Sequence, residues 1–66
     1  MKKQAIVAII KLYEEHSHML SETIEALGQV GGEDAINQIE NIYSHNSHML
    51  SETIKALGEA GKNSNT

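Results

Sequence analysis

Four histidines in a chain of 66 residues lie close to carboxylates and raise the question of a metal site. His16 and His18 form an H-x-H within the run EEHSH, and His45 and His48 fall within SHNSH. His18 is followed four residues on by Glu22, and His48 by Glu52, so on a helix each pair would share one face. Imidazole and carboxylate together suit Zn2+ or Ni2+. However, His16 and His45 stand at different places relative to the sequence that His18 and His48 share. The expectation is therefore a solvated polar face with no metal and no cofactor, and a metal site would have to draw on His16, His18, Glu22, His45, His48 and Glu52.

Other chemistry finds less support. Glu14 and Glu15 are adjacent and so point to different sides of a helix, and Glu22 and Glu25 fall on an outward face. No carboxylate is set among apolar residues in a way that would suit it to acid–base work. The serines lack a nucleophile elbow and a matched base, and Gly31-Gly32 punctuates two helical patterns rather than opening a phosphate loop. Tyr13 and Tyr43 are expected at the edge of the core with their hydroxyls at its rim. The chain reads as a non-enzyme.

The composition bounds the rest. There is no cysteine, proline, phenylalanine or tryptophan, which favours helix and rules out a disulfide framework. A chain of this length buries only about 60% of its unfolded surface, so its stability should be marginal without help. The formal charge is −4: residues 5–34 contribute −5, residues 35–64 contribute −1, and Lys2 with Lys3 contribute +2. Such a surface repels a phosphate backbone, so no nucleic-acid partner is expected. The apolar run AIVAII ends after six residues at Lys11. That is shorter than the roughly 7–15 residues of a signal core or the about 20 of a membrane span. A cytoplasmic protein with no membrane partner is expected.

The octet SHMLSETI occurs at residues 17–24 and again at 47–54. Shifting the chain by thirty residues pairs Ala5 with Ala35, Ile6 with Ile36, Ile9 with Ile39 and Tyr13 with Tyr43, then the octets, then Ala26-Leu27-Gly28 with Ala56-Leu57-Gly58 and Gly31 with Gly61. In all, 16 of 30 aligned positions are identical. A period of this size marks stacked units, none of which buries its apolar face alone. The chain is thus a single domain, 1–66, with repeat 1 over about 5–34, repeat 2 over about 35–61, and a flexible tail over 62–66.

Each repeat reads as two helices. In the first helix of repeat 2, Ala35, Ile36, Ile39, Ile42 and Tyr43 span about 120° of arc, an amphipathic stripe. The second helix is predicted to start after Ser17 or Ser47, whose hydroxyl would cap it, and to stop at Gly31 or Gly61. Gly28 and Gly58 are expected to allow close packing, and Leu27 and Leu57 to lie in the core. Met19, Leu20, Thr23, Ile24, Ala26, Leu27 and Val30 cover about 160°, wide enough to meet a partner helix and the next unit as well. The octet is mainly a core-facing segment, with its His, Ser and Glu turned outward.

The endings ALGQVGGEDAI and ALGEAGKN, with Ala26-Leu27-Gly28, Gly31, the acidic pair Glu33-Asp34 and Ala35-Ile36 opening the next unit, resemble the short HEAT-like repeats first noted in phycobilisome lyases. The resemblance runs from about residue 5 to residue 61. It implies an all-α fold, four helices in two stacked hairpins forming a miniature α-solenoid, and protein binding by a scaffold whose second helices line the concave side. The contact face would then be His18, Ser21, Glu22, Glu25 and Gln29 with His48, Ser51, Glu52, Lys55 and Glu59. Some members of the family are lyase subunits, so a small metal-binding or lyase-related protein is the rival reading, and an excised repeat fragment with no role of its own is a third. The first helix is more apolar than its counterpart, with Val7 and Ile10 where Asn37 and Glu40 stand, and the last helix presents Leu50 and Ile54 as though to a third unit. A homodimer with Val7, Ile10, Leu50 and Ile54 at its contact is expected.

Overall fold

Apolar spacing and one glycine step divide the chain as the periodicity suggests. The structure, a computed structural model, describes residues 1–65. Among these residues there are four α-helices and no strand: α1 (Lys2–Glu15), α2 (Leu20–Val30), α3 (Glu33–His45) and α4 (Leu50–Lys62), with 3-10 turns at Ser47–Met49 and Asn63–Asn65. Leu20 and Leu50, which open α2 and α4, stand thirty residues apart. The radius of gyration is 10.6 Å, close to the about 11 Å of a packed chain of this length. The helices therefore fold onto one another rather than extend.

α2 is the central element, packing against α1, α3 and α4. Its Ile24 and Leu27 join Ile6 of α1, Ala35, Ile39 and Ile42 of α3, and Ala56 and Ala60 of α4 in a single core. Tyr13 and Tyr43 lie half-buried at its margin. α2 and α4 approach most closely at Gly28: a Cβ added there would lie 2.9 Å from the carbonyl oxygen of Ala56 and 3.1 Å from its Cα. The close packing expected at Gly28 is thus present. Gly58, its repeat partner, has nothing within 4 Å, and Leu57 is only half-buried where Leu27 is fully buried. Ala-Leu-Gly therefore has two different environments, because Gly28 faces α4 whereas Gly58 does not face α2.

The helix ends depart from expectation in three places. Ser17 and Ser47 do not cap the second helices, which begin at Leu20 and Leu50 with no side-chain cap. The chain turns first, with the amide of Met19 donating to the carbonyl of His16 at 2.9 Å and that of Met49 to Asn46 at 2.9 Å. Glu22 and Glu52 then stand in the first turns, where a carboxylate suits the positive end of the helix dipole.

Gly31 does end α2, at φ 74°, and Gly32 comes next at φ 90°, a two-step reversal into α3 that L side chains rarely adopt. Gly61 does not stop α4. Lys62 stands where repeat 1 has Gly32, so the second positive-φ residue is missing and the helix continues to Lys62.

The third difference is at the C-terminus. Residues expected as a flexible tail from 62 onward form the end of α4 and a 3-10 turn; Thr66, part of the same expectation, lies outside the described residues. The amide side chain of Asn63 donates to the carbonyls of Gly28 at 3.2 Å and Gln29 at 3.1 Å, groups a helix end leaves without internal partners. The Gly32 amide donates to the Ser64 hydroxyl at 3.2 Å, and that hydroxyl donates to the Ala60 carbonyl at 2.7 Å. The Lys2 ammonium donates to the Asn63 carbonyl at 2.7 Å. These bonds tie the start of α1 and the end of α4 to the end of α2.

The two glycines of the Ala-Leu-Gly motif should respond oppositely to alanine. Gly28→Ala must force apart two backbones and should cost about 1–3 kcal/mol. Gly58→Ala meets open space and should gain about 0.5–1 kcal/mol from helix propensity. Denaturant melts of both variants check this, and equal effects would contradict the packing at Gly28.

Candidate functional site

Placing α2 beside α4 turns two amphipathic helices into the walls of an open groove of about 700 Å³. Ser21, Glu25 and Gln29 of α2 face Glu52, Lys55 and Glu59 of α4 across it. All six are exposed, while Ile24 and Ala56 at the base are buried. Ile54 and Gly58 lie at its α4 edge and are exposed. The groove thus has an apolar base between polar walls, and three glutamates against one lysine give it a charge of −2.

Six of the ten residues expected on the contact face therefore meet in one groove. Glu22 instead lines a second hollow, of about 280 Å³, with Ile9, Leu12, Tyr13, His16, Met19 and Thr23. His18, His48 and Ser51 are exposed and line neither. Val7 and Ile10 line a third hollow, of about 240 Å³, with Ile6, Lys11, Glu14 and Gln38. Ile54, expected with Leu50 to share a self-association contact with them, lines the α2–α4 groove instead, and Leu50 is exposed and lines none of the three hollows. Sequence reasoning did not single out the Ile9, Leu12 and Met19 surface. The thirty-residue shift held the signal, since Ile9 and Leu12 align with Ile39 and Ile42 of the core.

The pairing of His18 with Glu22 and of His48 with Glu52 along a helix does not hold. His18 precedes α2, and His48 lies in the 3-10 turn before α4, because both helices begin later than the serines suggest. The rings of His16 and His18 meet edge to face with centroids 6.1 Å apart. His45 turns back on its own helix, its Nδ1 lying 3.0 Å from the Asn41 carbonyl oxygen and 3.1 Å from the Ser44 hydroxyl. Among the described residues, no three histidine, aspartate or glutamate side chains gather so as to hold a metal ion. Nor is any helix long and apolar enough to cross a membrane.

The chain matches no protein-family model, no curated protein and no solved structure. The groove's own geometry therefore carries the functional reading.

Adding Zn2+ in about tenfold excess to untagged protein should leave the thermal midpoint unchanged, since a ligand that binds only the folded state raises it. A rise of several degrees, reversed by a chelator, would show that the histidines assemble a site after all.

Proposed function

We propose that the chain is a non-catalytic protein-binding module, a miniature HEAT-like scaffold of the cytoplasm that takes a partner segment in the α2–α4 groove. The observation that carries this reading is the groove's apolar base between polar walls, the arrangement in which a protein interface excludes water at its centre and stays wet at its edge. Its charge of −2 selects a segment that is apolar along one side and basic at its margins. Glu25 and Glu52, one on each wall, are assigned the partner's basic residues, and Ser21 and Gln29 supply hydrogen bonds. All nine carboxylates and all four histidines of the chain are exposed. That disposition suits recognition better than chemistry, which works from groups set apart from bulk water beside the reacting atoms.

Selection from a displayed random-peptide library on the immobilised protein tests this. Enriched peptides should be basic and amphipathic, and should lose most of their binding to the Glu25→Lys, Glu52→Lys double variant. Exposed substitutions shift stability by less than about 0.5 kcal/mol, so the variant should melt like the parent. Peptides without basic character, or ones that bind the variant equally well, would place recognition elsewhere.

A further inference from the structure

The thirty-residue shift pairs each position of repeat 1 with one of repeat 2, and the two members of a pair differ systematically in exposure. Ile24 is 1% exposed and Ile54, its counterpart, 60%. Leu27 is buried and Leu57 half-buried. Gly28 lies against Ala56, whereas Gly58 has nothing within 4 Å. On α2 these positions meet repeat 2. On α4 the same residue types, in the same spacing, leave Ile54 and Gly58 uncovered and Leu57 only partly packed against the core.

The receiving side shows the converse. In repeat 2, Ala35, Ile39, Ala56 and Ala60 are buried, and their counterparts Ala5, Ile9, Ala26 and Val30 are only half-buried. Ile42 is 4% exposed and its counterpart Leu12 is 60%. Ile9 and Leu12 line the hollow beside Met19. The chain therefore carries both halves of its internal joint a second time, uncovered: the donor half on α4 and the receiving half on α1 and α2.

We infer that copies of this chain stack head to tail, the outer face of α4 in one copy seating on the α1 side of the next through a continuation of the joint that packs repeat 1 on repeat 2. Ile54 takes the place of Ile24 in this contact, and Gly58 lets Ala26 of the next copy approach as Gly28 admits Ala56. The copy-to-copy joint is weaker than the internal one. Glu33 stands where Asn63 does, and a carboxylate cannot donate to the carbonyls that Asn63 satisfies. Val30 stands where Ala60 does and fits less closely. A head-to-tail contact uses two different faces and does not close at two copies. It therefore differs from the two-fold homodimer expected from sequence. Val7 and Ile10 have no part in it, because their counterparts Asn37 and Glu40 are exposed and outside the internal joint.

Sedimentation equilibrium over low-micromolar to millimolar concentrations tests this. The weight-average mass of the parent should rise past twice the 7.2 kDa monomer without levelling off. Ile54→Glu blocks the donor face and Leu12→Glu the receiving face, so each alone should stay monomeric. Mixed in equal amounts they should form a dimer and nothing larger, since each retains the half that the other has lost. Gly58→Glu and Met19→Glu repeat the two blocks should either first variant lose helicity by circular dichroism. A parent monomeric throughout, a parent that levels off at two copies, or a mixture that stays monomeric would each overturn the proposal. Leu12 does not line the α2–α4 groove, so Leu12→Glu should still select the same peptides, which separates this test from that of the groove.

Discussion

The close approach of α2 to α4 at Gly28 is the constraint on which the rest of the structure depends. With no side chain at Gly28 and only a methyl group at Ala56, the two backbones come near enough for Ile24 and Leu27 to be enclosed. The same approach brings the end of α4 level with the end of α2, within reach of Asn63 and Ser64. Those two residues satisfy polar groups that α2 and the turn after it would otherwise leave to water. A larger residue at Gly28 would separate the helices, and the apolar base of the groove, the polar contacts at the C-terminus and the position of α3 would all change with it.

Identical sequence in the two repeats does not produce identical environments. In the octet at residues 17–24 Ile24 is buried and Leu20 half-buried, whereas in the octet at residues 47–54 their counterparts Ile54 and Leu50 are exposed. Burial here depends on the neighbouring repeat rather than on the residues themselves. The same fact bears on the two proposed activities. The polar walls of the groove come from the solvent side of α2 and α4, and the stacking face comes from the side of α4 that has no neighbour. The proposed protein recognition and the proposed stacking would therefore share Ile54 and Gly58, which line the α4 edge of the groove.

Much of this architecture was legible in the sequence. The period of thirty placed the four helices, and the apolar stripes of α2 and α3 correctly marked Ile24, Leu27, Ala35, Ile39 and Ile42 as core. The features that were not legible depended on contacts between distant residues or on the exact path of a turn. Ser17 has the right chemistry for a cap, but the turn begun by His16 starts the helix later. Gly61 has the right type for a stop, but the reversal needs two glycines and the next residue is Lys62. Asn63 has the composition of a tail because its partners, Gly28 and Gln29, lie more than thirty residues away. Six of the ten residues assigned to the contact face meet in the groove, since helical periodicity fixes which side a residue occupies. His18 and His48 fall short of it because they precede the helices on which that periodicity was counted.

Native-state hydrogen exchange, read amide by amide, is the most direct test of the claim that the rest of the structure depends on the close approach of α2 to α4: if it does, the two helices open as one unit. The amides of Ile24, Leu27, Ala56 and Ala60 should share a single opening free energy, the highest in the molecule, with those at the start of α1 exchanging at lower cost. The Gly32 amide, held by Ser64, should close and open with them. Separate opening of the α1–α2 and α3–α4 pairs, at distinct free energies, would contradict the claim.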